Sequence, residues 1–177
     1  MFMRYVALFR GINVGNSIRI SKQILKALFE RSGFKDVFVY INSGNVIFNS
    51  TDKIDAIKKK INKEVVNEVG VQVPVLVLKQ SDIQRITSVV PESWQNNDEQ
   101  RTDVAFLFPE IDKESIVETL PLNKEYAEIV YTKGAVIWNI TRKNHNKSRL
   151  NKIIGHSVYH LLTIRNINTT RYLAEFD

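Results

Sequence analysis

Residues 36–49 read Asp36-Val37-Phe38-Val39-Tyr40-Ile41-Asn42-Ser43-Gly44-Asn45-Val46-Ile47-Phe48-Asn49, and the reading of this stretch decides the fold. Two β-rich runs, 36–41 and 45–49, flank Asn42-Ser43-Gly44, a short turn of the residue types that accept positive φ, which signals a hairpin. On its N-terminal side, residues 3–9 alternate as a strand and Ser21 caps a helix. That helix places Ile24, Leu25, Leu28 and Phe29 on one face and stops at Gly33. On the C-terminal side, Asp52 opens a second helix with Ile54, Ile57, Ile61 and Val65 inward. Gly70 ends it, and 73–78 is a fourth strand. The order βαββαβ is the ferredoxin-like unit.

The remaining chain repeats part of this pattern. A connecting helix over 81–90 is closed by Pro91, and the polar stretch 92–100 is the expected boundary. A strand at 103–108, a helix at 112–120 and a hairpin of 126–132 with 135–140, turning at Lys133-Gly134, come next. Helices at 148–162 and 169–176 complete a βαββα order with no evident closing strand. The expectation is an α+β protein of two ferredoxin-like halves packed in one compact body. Residues 1–91 form the first half with its connecting helix, and 101–177 an incomplete second half with C-terminal helices.

The 177 residues contain no cysteine, which excludes disulfides, a thiolate nucleophile, a zinc ribbon and Cys-ligated iron–sulfur clusters. At 44% hydrophobic and 25% charged, the composition is that of an ordinary globular protein. No apolar run approaches the roughly 18 residues of a bilayer span, and Tyr5–Phe9, between Arg4 and Arg10, is not a signal peptide. The expectation is a cytoplasmic protein with no membrane contact.

The net charge of +6 is unevenly distributed. Residues 1–29 carry Arg4, Arg10, Arg19, Lys22 and Lys26 without an acid. Residues 129–174 carry Lys133, Arg142, Lys143, Lys147, Arg149, Lys152, Arg165 and Arg171, again without one. Such acid-free ends can build a positive face for an anionic partner.

Four segments hold the candidate ligand-binding residues. The first is the loop Arg10-Gly11-Ile12-Asn13-Val14-Gly15-Asn16-Ser17, after the first strand, whose glycines allow close approach to a phosphate. A tight strand–helix connection would need the same glycines, but not the guanidinium of Arg10. The loop fits neither a Walker A motif nor G-x-G-x-x-G, so no nucleotide cofactor is called. The second is the hairpin with Tyr40, Ser43, Gly44 and Asn45, which turn chemistry alone also explains. Tyr5, Phe9 and Phe48 on its sheet match the layout of RNA-recognition domains, whereas 43–48 lacks their third-strand signature. The third is Lys147-Ser148-Arg149. The fourth is Arg165-Asn166-Ile167-Asn168-Thr169, where Asn168 or Thr169 would cap the last helix beside a basic residue. His156 and His160, at i and i+4, lack a third metal ligand, so no metal is called, and no Gly-x-Ser-x-Gly elbow or other catalytic signature occurs.

Taken together, Ala7–Gly15, Tyr40–Phe48, Lys147–Leu150 and Thr163–Thr169 resemble an uncharacterised bacterial family, domain of unknown function 1697. The resemblance implies two ferredoxin-like halves and no established activity. Members commonly have Gly-Lys where this chain has Asn16-Ser17, and Trp where it has Ile167.

The leading functional expectation is an anion-binding protein with nucleic acid as ligand, contacted by Arg10, Asn13, Lys147, Arg149 and Arg165. The alternative is an enzyme or binding protein for a small phosphorylated or carboxylated metabolite. There Tyr40, Ser43 or a histidine would move a proton. A third reading is an interaction or assembly module, and a homodimer through ferredoxin-like sheet edges is compatible with each.

Overall fold

The computed structural model describes Met1–Asp177, and the chain divides into two units, 1–80 and 81–177. The first unit contains β1 (Met3–Phe9), α1 (Lys22–Arg31), β2 (Lys35–Tyr40), β3 (Asn45–Ser50), α2 (Ile54–Val69) and β4 (Val75–Lys79). The strands form an antiparallel sheet in the order β2-β3-β1-β4, the ferredoxin-like order. Ser21 caps α1 as expected, its hydroxyl accepting from Ile24 N–H, and Gly70 ends α2 in the left-handed region at φ 78°. Asp52 instead lies just outside α2, where its carboxylate meets Lys60 Nζ at 2.7 Å, and Lys53 occupies the cap position.

One core of this unit lies between sheet and helices. Alternation along β1 sends Tyr5, Ala7 and Phe9 to it, with Val46 and Phe48 from β3, against Leu25, Leu28, Phe29, Ile57, Ile61 and Val65 of the helices. Phe48 packs on Phe29 with ring centroids 5.1 Å apart and on Phe34 at 4.7 Å. Tyr5, Phe9 and Phe48 are therefore core residues, and the comparison with base-stacking aromatics does not hold for them.

The second unit contains α3 (Gln80–Ser88, its first residue closing the first unit), β5 (Gln100–Leu107), α4 (Ile116–Thr119), β6 (Glu128–Thr132), β7 (Ala135–Thr141), β8 (Leu162–Asn166) and α5 (Ile167–Glu175). Its sheet order, β6-β7-β5-β8, reproduces that of the first unit strand for strand. Helix α3 is tied into this unit by Gln84 Nε2 to Ala174 O (3.0 Å) and Arg85 to Thr132 Oγ1 (3.2 Å) and Lys133 O (2.9 Å).

Several expectations need correction here. The second half is not open, because Leu162–Asn166 is the closing strand, paired with β5 from Asp103↔Asn166 to Leu107↔Leu162. The helix expected over 148–162 is absent. That segment makes only short 3-10 turns at Leu150–Lys152 and Tyr159–Leu161, with Arg149 left-handed at φ 62°. Asn146, Ser148, Asn151, Gly155 and Ser157 are poor helix residues, and the apolar spacing belongs to turns laid on the core. The helix expected over 112–120 shrinks to α4 preceded by a 3-10 turn at Pro109–Ile111. Finally, α5 is capped by Asn166, not Asn168 or Thr169: its side chain accepts from Thr169 N–H at 2.9 Å.

No helix is long and apolar enough to cross a membrane.

Candidate functional site

In the first unit the glycine loop and the hairpin turn are built as one piece. Phe9 N–H donates to Gly44 O (2.9 Å), and Asn13 Nδ2 donates both to Ile20 O (2.7 Å) and to Asn42 O (2.8 Å). Asn13 Oδ1 accepts from Ile20 N–H (2.8 Å), so its amide serves the loop on both sides. Asn13 also sits at φ 57°, where asparagine is among the few side-chain-bearing residues at ease. Asn45 is fully buried, donating to Tyr40 O (3.1 Å) and Ser43 Oγ (2.9 Å). Arg10 and Tyr40 are half-buried, and Gly11 and Gly15 are exposed at positive φ with open space around them.

In the second unit, Ser148 is buried and donates to His145 O (2.6 Å), a turn residue in this setting. Lys147 and Arg149 are exposed, with Lys147 Nζ 5.4 Å from the centre of the Tyr126 ring. Arg165, expected on a surface, is buried on β8 and donates to Thr163 Oγ1 (2.8 Å) and Ile164 O (3.0 Å). Burial alone pulls its guanidinium down to about 10, the sign of a cation removed from water. Asn168 is exposed and donates to Asn96 O (3.2 Å), while Thr169 is buried.

Only Asn166 among these lines the polar recess of this unit, a space of about 310 Å³ bounded by Asn96, Arg101, Asp103, Arg142, Ile164 and Asn166. The sheet explains the gathering. Asp103 on the central strand β5 faces Trp138 of β7 on one side and Asn166 of β8 on the other, so the three share a sheet face. Arg101, two residues earlier, lies on that face as well. Arg101 Nε donates to Asp103 Oδ2 at 2.7 Å, and Trp138 Nε1 donates to the same oxygen at 3.2 Å. Asp103 is 3% exposed, yet no protein group reaches its other oxygen, Oδ1. The terminal nitrogens of Arg101 have no protein partner either.

Arg142 enters from the end of β7, held by Asn97 O and by Asn96 Oδ1 (3.2 Å). The stretch 92–100 that supplies these partners is tightly ordered. Asn97 Oδ1 accepts from Glu99 and Gln100 N–H, both at 3.0 Å, and Thr102 Oγ1 donates to Gln95 O at 2.8 Å. A second, more apolar chamber of about 410 Å³ shares Arg101, Asp103 and Ile164 with the recess and continues over Leu150, Ile153, Ile154 and Tyr159.

Sequence reasoning missed Asn96, Arg101, Asp103 and Arg142 as members of one site. The available signal was Arg101-Thr102-Asp103, two opposite charges at i and i+2 on one face of a strand otherwise destined for burial.

A solved structure, that of a conserved bacterial protein from Streptococcus pneumoniae, superposes with a TM-score of 0.86 at 24% identity. It covers 99% of this chain and 98% of that one, which establishes the likeness of fold. No curated protein matches the chain. A model of proteins of unknown function, DUF1697, matches residues 3–138, and this chain belongs to that family.

Proposed function

We propose that the protein binds a small phosphorylated or carboxylated metabolite in the polar recess of its second unit. The observation that carries this reading is the pair Arg101 and Arg142 at one concave site, beside the N-terminal turn of α5. Arg142 is already oriented by the 96–97 backbone and side chain, and Arg101 by Asp103. Little side-chain ordering is left for a ligand to bear. The size suits a compact ligand, not a polymer. Isothermal titration with inorganic phosphate and with acetate tests it: binding of either is expected, weakened about tenfold or more in Arg142→Gln. Titrations that show no heat with both anions would refute it.

A second reading, nucleic-acid binding, is favoured by one observation. Arg142, Lys143, Lys147, Arg149 and Lys152 are all exposed within a short acid-free run. The buried Arg165 and the inward amide of Asn13 take no part in that reading. Binding to fluorescent single-stranded RNA would then fall steeply between about 50 and 200 mM salt, through loss of counterion release. A flat salt response would leave the small-ligand reading alone.

A further inference from the structure

The recess is not purely cationic, and its one acid restricts what it can hold. Asp103 is 3% exposed, and both of its protein hydrogen bonds fall on Oδ2, from Arg101 Nε and Trp138 Nε1. Oδ1 is left as an acceptor in a residue that lines both the recess and the adjoining chamber. Oδ1 is not sealed from solvent and stands as an open acceptor, and a bare anion seated on Arg101 would meet like-charge repulsion from this carboxylate. A ligand that carries a positive N–H donor next to its anionic group replaces that repulsion with a charge-assisted hydrogen bond. The chamber beyond Ile164 then offers Leu150, Ile153, Ile154 and Tyr159 to whatever the ligand carries third.

We propose that this site takes an α-amino acid with an apolar side chain. Its carboxylate lies on Arg101 and Arg142, its ammonium donates to Asp103 Oδ1, and its side chain enters the Leu150–Tyr159 chamber. The three groups radiate from one carbon, matching two spaces that meet at Arg101, Asp103 and Ile164. The inference rests on the reading of the recess as an anion site and specifies its ligand.

Isothermal titration of the full chain with L-phenylalanine, 3-phenylpropionate, glycine and inorganic phosphate separates the parts. L-Phenylalanine is expected to bind about tenfold or more tightly than 3-phenylpropionate, which lacks the ammonium. A similar margin is expected over glycine, which lacks the side chain. Asp103→Asn should erase the preference over 3-phenylpropionate. Should that variant fail to fold, Ile154→Asp, at a position 70% exposed, should erase the preference over glycine in a folded protein. Equal affinity for L-phenylalanine and 3-phenylpropionate overturns the inference. So does phosphate binding that is sensitive to Arg142→Gln without any amino-acid binding, a result that leaves the anion site standing. No binding of any probe removes both.

Discussion

Gly44 is one of the residues at which hairpin and glycine loop touch. A Cβ built there would lie 2.7 Å from Ile12 Cδ1 and 2.8 Å from Phe9 Cβ, at a φ of +79° that L side chains rarely adopt. Gly44→Ala should therefore destabilise the protein by about 2–4 kcal/mol in urea unfolding, strain and overpacking acting together. Asn13→Ala removes an acceptor and two donors that bridge Ile20 and Asn42, with an expected loss of about 2–3 kcal/mol by the same measurement. Tyr131 makes the pH-dependent contribution. Its phenol is pushed above its ordinary value of 10, chiefly by burial and then by its hydrogen bond to Asp112. A group whose folded value is raised gives stability in full below the unfolded value and loses it as pH rises through the folded one. The Tyr131 contribution should thus be lost above about pH 10, so that stability followed against pH shows a smaller high-pH loss in Tyr131→Phe than in the unsubstituted protein, while the depressed Arg165 acts in the opposite sense in both. The turn at Gly44 was legible because turn chemistry is local, whereas Asn13, expected to face a ligand, spends its amide on Ile20 and Asn42. The buried state of Arg165 was not legible either, since a cation in an acid-free run reads as surface until strand pairing places it inside.

Among the elements, α5 shows how a cap can be misplaced by reading alone. Asn166, Asn168 and Thr169 are all capable caps, and the choice falls on Asn166 because β8 delivers the chain to that point with extended backbone (φ −68°, ψ 162°). Asn166→Ala should lower stability by about 1 kcal/mol, with Asn166→Asp restoring it, as read by thermal unfolding. The first unit was readable nearly throughout, because α1 and α2 carry clear apolar periodicity between proper stops. The second was harder where 142–161 mixes apolar residues with Asn146, Ser148, Asn151, Gly155 and Ser157, which break the helix that the apolar spacing suggests. A short strand of mixed polarity, Leu162-Thr163-Ile164-Arg165-Asn166, announces itself only through its partner β5.

For the whole chain, no linker separates the elements at the join between the two units: β4 ends at Lys79 and α3 begins at Gln80. Brief trypsin treatment of the native protein should spare Lys79 and cut first around Arg149 and Lys152, exposed in 3-10 turns, as mass spectrometry of the fragments would show. The repeat across both units was visible as element order only as far as β7; its closing strand β8 was not, and the candidate site was hidden because it is composed by pairing Asp103 with Trp138 and Asn166 from distant parts of the chain.

The two sheets also differ in the segment that leaves their third strand. The 16-residue α2 seals the first, whereas the corresponding stretch of the second is a series of short 3-10 turns beside the apolar chamber. One copy of the architecture thereby carries a keel of continuous helix and the other a rim of turns. Such turns can be rewritten by mutation with little disturbance to the strands beneath, so a lineage carrying this fold can reshape the lining of that chamber by editing the stretch alone while its frame stays the same.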